Sequence, residues 1–341
     1  MTKSISLALQ GGGAHGAFTW GVLDRLLEDE RVDISAVSGT SAGAMNAVVM
    51  ANGIMDSGRD GAKQQLEEFW RAVSDAARFS PIQRTALDTL MGNWNMDMSP
   101  AYLYTRMVSG LVSPTAFNPL KVNPLRDILL EKVDFEKVTH CDSVELYIAA
   151  TNVETGRVRV FNRDEVNVDV VMASACLPDL FEAVVIDGVP YWDGGYAGNP
   201  PLFPFTRCQK SDDIVIVQLN PIERSGVPKT ASEIHNRINE ITFNQSLLKE
   251  LRAIDFVHRL LEKGALDSAD YRDMKVHVIE NQEKLRPLGA SSKMNAEWNF
   301  LVHLRDIGRE TADNWLTEHY KHIGQHSTVD LNAMFAGINN D

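Results

Sequence analysis

The N-terminal part of the chain contains the same pattern twice: a short apolar run, a glycine-rich turn, and then apolar residues at helical spacing. The two turns are Gly11-Gly12-Gly13-Ala14-His15-Gly16 after residues 5–9, and Gly39-Thr40-Ser41-Ala42-Gly43 after residues 34–38. Repeated strand–turn–helix units favour a parallel sheet, because each helix carries the chain back to the start of the next strand. Both turns should then lie at the carboxyl edge of that sheet, which is the usual place for a functional site.

Helical and strand-like stretches alternate through the rest of the chain. Helices are expected at 44–51 and 62–77, and helical segments broken by proline and glycine dominate residues 53–140, which we interpret as a helical insertion. Residues 143–151 and 158–161 flank Glu154-Thr155-Gly156 and predict a hairpin. Further strands are expected at 184–186, 214–219 and 276–279, and helices at 168–176, 232–262 and 297–320. We therefore expect one α/β domain over residues 1–341, with a largely helical C-terminal region from about 221 to 341.

Composition limits the classes of partner and cofactor. The 341 residues are 44% hydrophobic and 23% charged, which is ordinary for a globular protein with a large core. A net charge of −13 argues against binding to nucleic acid. Cys141, Cys176 and Cys208 are odd in number, widely spaced and without a Cys-x-x-Cys pattern. They predict buried thiols in a reducing compartment and no metal site.

The N-terminus runs directly into the first predicted strand, which leaves no room for the three parts of a signal peptide. No apolar run approaches the roughly 18 residues that a membrane span requires. We expect a cytoplasmic protein whose contact with a membrane is at most peripheral. The sequence does not indicate an oligomeric state.

Ser41 stands between two glycines in a Gly-x-Ser-x-Gly pattern. In a sharp strand-to-helix turn the flanking residues must be small, because a side chain at Gly39 or Gly43 would collide with neighbouring backbone. The serine is then exposed at a helix N-terminus, where free N–H groups and the helix dipole favour a nearby negative charge. This setting suits a nucleophile, and a helix N-cap between two turn glycines is the alternative.

The first turn fits Gly-x-Gly-x-x-Gly through Gly11, Gly13 and Gly16, so a dinucleotide-binding turn is one interpretation. That fold places an acidic residue at the end of the second strand, but here Asp33 precedes the strand. The competing interpretation is an oxyanion hole, because successive glycines let backbone N–H groups point into open space. Donors from this turn would then converge on the nucleophile in the neighbouring turn.

A nucleophilic serine needs a base, and none of the nine histidines lies in a setting that distinguishes it. Asp193 is better placed, because it ends a strand-like run and precedes Gly194 and Gly195. Its carboxylate would be accessible to a substrate with little around it to interfere. An ordinary Asp-Gly turn is the alternative.

Methionine and aromatic residues are frequent between residues 87 and 117 of the insertion. The set comprises Met91, Trp94, Met96, Met98, Tyr102, Tyr104, Met107 and Phe117. Such side chains suit either a protein core or a flexible cap over an acyl-chain groove. The sequence leaves both interpretations open.

Four blocks of sequence, in this order, resemble the patatin-like phospholipase family over roughly residues 5–220. They are Gly11-Gly12-Gly13-Ala14-His15-Gly16-Ala17-Phe18, then Gly39-Thr40-Ser41-Ala42-Gly43, then Ala173-Ser174-Ala175-Cys176-Leu177-Pro178 with Phe181, and then Asp193-Gly194-Gly195 with Asn199-Pro200. The resemblance implies a three-layer sandwich with a largely parallel central sheet and a Ser-Asp dyad without histidine. It implies Ser41 as nucleophile, Asp193 as base, and Gly11, Gly12 and Gly13 as the oxyanion turn. His15 departs from the Arg or Lys that the family often has there.

The expected function is therefore hydrolysis of lipid acyl esters through an acyl-enzyme, without a cofactor or metal. Oxyanion donors are expected from Gly12, Gly13 and Ala42. The expected substrates are phospholipids, lysophospholipids, neutral glycerides or other acyl esters. Two alternatives stay open: a nucleotide-binding oxidoreductase that uses the first glycine turn, and an inactive lipid-binding relative.

Overall fold

The computed structural model describes residues 2–109, 111–118, 122–208, 210–267 and 270–336. Its strands are β1 (Lys3–Leu9), β2 (Val32–Gly39), β3 (Glu145–Asn152), β4 (Val158–Asn162), β5 (Val184–Ile186), β6 (Val189–Asp193), β7 (Asp213–Val217) and β8 (Lys275–Ile279). Its helices are α1 (Gly16–Glu28), α2 (Ala42–Ala77), α3 (Ala86–Leu90), α4 (Pro100–Ser109), α5 (Pro114–Phe117), α6 (Pro124–Lys132), α7 (Phe135–Thr139), α8 (Val168–Ser174), α9 (Ala231–Glu262), α10 (Gln282–Leu285), α11 (Trp298–His319) and α12 (Leu331–Ala336).

The strands form one mixed sheet in the order β5-β6-β3-β2-β1-β7-β8, with β4 also paired to β3. The five strands β3, β2, β1, β7 and β8 are parallel, which confirms the predicted parallel core. The pair β3–β4 is the predicted hairpin. The carboxyl ends of β1 and β2 lie side by side, since Leu9 is paired with Gly39, and both glycine turns therefore begin at the same edge.

Strand β3 brings a third segment to this edge. On one side of β3, β4 pairs with residues 147–151. On the other side, β2 ends where Gly39 is paired with Ile148, and the antiparallel strand β6 begins pairing where Asp193 meets Ala150. Strand β6 therefore lies on the same side of β3 as β2 and pairs with the residues of β3 that follow the end of β2. Two residues of β3 separate the pairing positions of Gly39 and Asp193, which corresponds to about 7 Å.

Helices cover both faces of the sheet. Ile5, Leu7 and Leu9 of β1 point into a cluster that also contains residues of α1, α2 and α11. Ala8 of β1 and Ile214 of β7 point to the opposite face, where they belong to a cluster with residues of α9 and α12. Side chains alternate between the faces of a strand, so the two clusters are separate cores. The fold is an α/β sandwich of three layers, as the resemblance implied.

Helix α2 is longer than the sequence pattern predicts. The predicted helices at 44–51 and 62–77 are parts of one element that runs across Gly53 and bends at Ser57 and Gly58, where φ is −150° and +64°. A Cβ at Gly53 would lie 2.4 Å from Cα of Ala62. Gly53 thus allows a close approach between two stretches of backbone, and α2 continues through the gap between the two predicted helices.

The short helices α3 to α7 follow α2 within the predicted insertion, and the Met and aromatic residues of this insertion divide into two groups. Met96 and Tyr102 are buried, and Trp94 stacks on Phe300 of α11. Met91, Met98, Tyr104 and Met107 are instead more than 60% exposed. The side chain of Phe117 lies outside the described residues. Among the helices of the described residues, none has the length and apolar character needed to cross a bilayer.

Candidate active site

Ser41 occupies the bend between β2 and α2, with φ of +55° and ψ of −120°. A positive φ is rare for a residue with a side chain and marks a strained turn. The turn is held by the Ser41 N–H, which donates to Oγ of Ser174 at 2.9 Å, and by the Gly43 N–H, which donates to the Thr40 carbonyl at 2.8 Å. The neighbouring strand carbonyl leaves no room at Gly43, because a Cβ there would lie 2.2 Å from the oxygen of Leu9.

Asp193 ends β6 and is only 1% exposed. The Gly195 N–H donates to its Oδ1 at 2.7 Å, and its own N–H donates to the Cys176 carbonyl at 2.7 Å. Burial raises the pKa of Asp193 to about 7, and the Gly195 amide, a hydrogen bond with the Ser41 side chain and the charge of Lys293 each act to lower it. The structure thus brings together the two predicted catalytic residues, which line the same cavity, and the Ser41 hydroxyl is close enough to influence the pKa of the carboxyl group.

The first glycine turn lies against the nucleophile. A Cβ at Gly11 would lie 2.8 Å from Cβ of Ser41, so only glycine permits this approach. The Gly11 N–H, predicted as part of the oxyanion turn, instead donates to Oδ1 of Asn199 at 2.7 Å. It is therefore not available to a substrate, and its role is to fix the position of the turn.

The other predicted oxyanion donors are free. Within the described ranges, no acceptor is bonded to the N–H groups of Gly12, Gly13 or Ala42. Gly13 has a φ of +57°, which a side chain would disfavour, and all three residues line the same cavity as Ser41. These are the properties that a preorganised oxyanion hole requires.

The remaining motif glycines also mark close contacts. A Cβ at Gly16 would lie 2.7 Å from Cβ of Ala42, and one at Gly39 would lie 2.7 Å from the Gly43 carbonyl oxygen. A Cβ at Gly194 would lie 2.3 Å from the Ala149 carbonyl oxygen, and one at Gly195 would lie 2.3 Å from the ring of Phe243. The motifs therefore keep three backbone segments close to one another at the carboxyl edge of the sheet.

The site opens into a cavity of about 500 Å³ with mainly apolar walls. Helices α2, α4 and α9 contribute Phe69, Tyr102 and Ile238 to these walls. The cavity has the size of a pocket for a small organic ligand. Part of the predicted insertion, α4, thus contributes to the cavity beside Ser41.

His15 is buried and its Nε2 is 2.8 Å from Oγ of Ser292. Burial and, secondarily, the charge of Lys293 lower the pKa of His15 to about 3, so the ring is neutral at physiological pH. His15 therefore does not supply the positive charge that an Arg or Lys would carry at this position.

Sequence reasoning missed several residues that support the site. Ser174 and Asn199 lie within the quoted sequence blocks but received no role there. Lys293 lies far from every motif, although it lines the cavity, and no local pattern distinguishes it from a surface lysine. Its partly buried position in the cavity is the signal that finds it.

The geometry does not favour the dinucleotide interpretation. Strand β2 begins at Val32 and ends at Gly39, so Asp33 lies at the edge of the sheet opposite to the glycine turn.

The three cysteines are buried and free. In the part of the chain that the structure describes, no group of three or more His, Cys, Asp and Glu side chains is arranged to bind a metal ion.

Comparison with known proteins assigns the class. The profile described as "Patatin-like phospholipase" matches residues 7–206, which is more than half of the chain. The chain belongs to the patatin-like phospholipase family. A sequence search of curated proteins returned no match.

Three solved structures show distant similarity. VipD from Legionella pneumophila has a TM-score of 0.33 and 16% identity, covering 89% of this chain and 67% of that chain. The type III effector ExoU has a TM-score of 0.32 and 14% identity, covering 93% of this chain and 53% of that chain. Full-length ExoU with SpcU, from Pseudomonas aeruginosa, has a TM-score of 0.28 and 16% identity, covering 98% of this chain and 77% of that chain. These values are too low to support statements about activity or partners.

Proposed function

We propose that this protein is a serine hydrolase that cleaves lipid acyl esters through a Ser41–Asp193 dyad. The observation that carries the proposal is the placement of the Ser41 hydroxyl and the buried Asp193 carboxyl in one cavity, close enough for the hydroxyl to lower the pKa of the carboxyl, next to the free amides of Gly12, Gly13 and Ala42. Membership of the patatin-like phospholipase family supports lipid hydrolysis. In this proposal residues 1–341 act as one catalytic domain.

The first step forms the acyl-enzyme. The Ser41 oxygen attacks the ester carbonyl carbon while its proton passes to the Asp193 carboxylate. The carbonyl oxygen takes the negative charge, and the amides of Gly12, Gly13 and Ala42 stabilise it. The tetrahedral intermediate then collapses, and the departing alcohol takes the proton from Asp193.

The second step releases the acid. Water gives a proton to Asp193 and attacks the acyl carbon, and the bond to the Ser41 oxygen breaks as Ser41 recovers the proton. Even a carboxylate with a raised pKa is a weak base for a serine hydroxyl, so most of the rate must come from positioning and the oxyanion donors. Loss of one such donor typically costs about 3 to 4 kcal/mol.

The apolar cavity supports a long acyl chain as the part of the substrate that binds. Phe69, Tyr102 and Ile238 offer no charge, and the cavity adjoins Ser41 directly. Burial of each methylene group contributes about 0.8 kcal/mol to binding. A series of p-nitrophenyl esters should therefore give kcat/KM values that rise with chain length, and a maximum at acetate would exclude a lipid substrate.

The nucleophile is tested by labelling with a serine-directed fluorophosphonate and mapping of the modified peptide by mass spectrometry. We expect the label on Ser41 and no label in Ser41→Ala. The exposed Ser57 provides the control, because Ser57→Ala should be labelled like the wild type. A label on another residue, or none in the folded wild type, would exclude the proposed mechanism.

A further inference from the structure

Lys293 lies beside the oxyanion turn although it is far away in sequence. It belongs to a short 3-10 turn, Ala290–Met294, and its backbone lies against Gly13, where a Cβ would come within 2.5 Å of the Lys293 carbonyl oxygen. Its side chain lines the cavity that contains Ser41 and Asp193. The backbone of Lys293 is thus packed against the turn that would hold the oxyanion, and its side chain enters the same cavity.

The ammonium group is held by neutral partners. Nζ donates to Oδ1 of Asn220 at 2.8 Å and to Oδ1 of Asn239 at 2.7 Å, and it lies 5.3 Å from the centre of the Phe243 ring. Asn220 in turn donates to the Gly11 carbonyl at 3.0 Å, which links this cradle to the glycine turn. Two of the three ammonium protons are used, and the described residues place no carboxylate within ion-pairing distance of Nζ.

Lys293 is partly buried, and a charge withdrawn from water with only neutral partners is costly and needs a reason. Burial lowers the pKa of Lys293 to about 8, and the charges of Glu240 and Asp193 act in the opposite direction. Glu240 is already paired with Arg224 and Arg237. The carboxyl group inside the cavity on which the ammonium acts is therefore that of Asp193.

We propose that Lys293 is a positioning residue of the active site, whose ammonium, fixed by Asn220 and Asn239, favours the ionised form of Asp193. This role rests on the proposed function, in which Asp193 must be ionised to accept the serine proton. His15 is neutral, whereas the ammonium of Lys293 is connected to the glycine turn through Asn220.

Other titratable groups near the two residues do not replace this charge. Next to Asp193, the Cys176 thiol and the Tyr196 phenol have pKa values raised to about 11 and about 12, mainly by burial, so both are neutral at physiological pH. Arg106, His235 and Asp179 also line the cavity. Burial and the charge of Arg106 lower the pKa of His235, while Asp179 raises it.

The test is the pH dependence of fluorophosphonate labelling at Ser41 in the full-length protein, from pH 5 to 9. We expect Lys293→Met to move the midpoint of the acidic limb upward by roughly 0.5 to 1 unit, because loss of a nearby cation makes Asp193 harder to ionise. Lys293→Arg keeps the charge and should restore the wild-type midpoint. The exposed Lys284 supplies the matched control, and Lys284→Met should not shift the midpoint.

A second variant tests the same charge without removing the lysine. Asn239→Asp places a carboxylate against the ammonium and should also move the midpoint upward, so it serves where Lys293→Met does not fold. An unchanged midpoint in a folded Lys293→Met or Asn239→Asp protein would overturn the role of Lys293 even if labelling were slower. Absence of labelling at Ser41 in the wild type at every pH would overturn the proposed function, and this role with it.

Discussion

Asp193 and Glu250 are carboxyl groups in two different regions of the molecule, and burial raises the pKa of both to about 7. Asp193 lies at the carboxyl edge of the sheet, and Glu250 lies on α9. Judged by pKa alone, each is a candidate for a catalytic acid or base. Their surroundings decide between them.

The carboxyl group of Asp193 shares a cavity with a serine hydroxyl. It accepts the Gly195 N–H, its pKa is lowered by the nearby Ser41 side chain, and the cavity walls leave room for a substrate. A group that accepts a proton during catalysis must lie within reach of that proton in a place that substrate can enter. Asp193 meets both requirements.

The carboxyl group of Glu250 instead holds a backbone turn. Its Oε2 accepts the N–H groups of Leu202 and Phe203, both at 2.7 Å, where a 3-10 turn begins. Glu250 does not line the cavity that contains Ser41. A raised pKa therefore reports burial, whereas a nucleophile and a cavity beside the carboxyl group indicate catalysis.

The largest effect is expected from removing the charge of each group in turn. Asp193→Asn should lower kcat/KM for p-nitrophenyl esters by about 10² to 10⁴, the usual contribution of a general base. Glu250→Gln keeps an acceptor for the amides of Leu202 and Phe203, so its kcat/KM should stay within about threefold of the wild type. Circular dichroism controls for folding. Full activity in Asp193→Asn would refute the dyad and would indicate that a histidine acts as the base.

The pH profile separates the two groups although both titrate near pH 7. Because the base must be deprotonated, kcat/KM of the wild type should rise as pH increases through about 7, the pKa of Asp193. Glu250→Gln should keep this acidic limb at the same midpoint. Steady-state rates measured from pH 5 to 9 check this. Loss of the acidic limb in Glu250→Gln would show that the limb reports the ionisation of Glu250 and not that of Asp193.

Much of this site could be predicted because parallel strands bring their carboxyl ends to one edge of a sheet. The turns that contain Gly11 and Ser41 follow adjacent parallel strands, and the pattern of apolar runs and glycines predicted both. The placement of Asp193 beside Ser41 came from the family resemblance. The physical basis of this placement is that β6 pairs with β3 on the same side as β2, directly beyond the end of β2. No local sequence pattern encodes such a register.

The support around the site could not be predicted, for a different reason. Lys293, Asn220 and Asn239 are ordinary polar residues in sequence, and only the fold joins them by hydrogen bonds and brings Lys293 against Gly13. We expected Gly11 to take part in the oxyanion hole because of its motif. Its N–H instead donates a hydrogen bond to the side chain of Asn199. Contacts between distant side chains are set by tertiary packing, which residue spacing does not report.

The smallest effect concerns stability, and here the two regions should behave alike. The pKa of Asp193 is raised from 3.8 to about 7, so the folded state favours the protonated carboxyl, and the stability this gives is lost as pH rises toward 7. Above pH 7 the cost of burying the ionised group is at most about 4 kcal/mol, at about 1.4 kcal/mol per pKa unit. For Glu250, raised from 4.5 to about 7 and partly exposed, the cost is smaller.

Asp193→Asn and Glu250→Gln should therefore both unfold at higher urea concentration than the wild type at pH 8, with the larger gain in Asp193→Asn. The gain in each should shrink as pH falls from 8 to 5, because the wild-type carboxyl groups become protonated in the folded state. A gain that does not depend on pH would indicate better packing of the amide. The expected result would mean that Asp193, which is needed for turnover, is retained at a cost in stability, whereas replacing Glu250 would gain stability with little loss of activity.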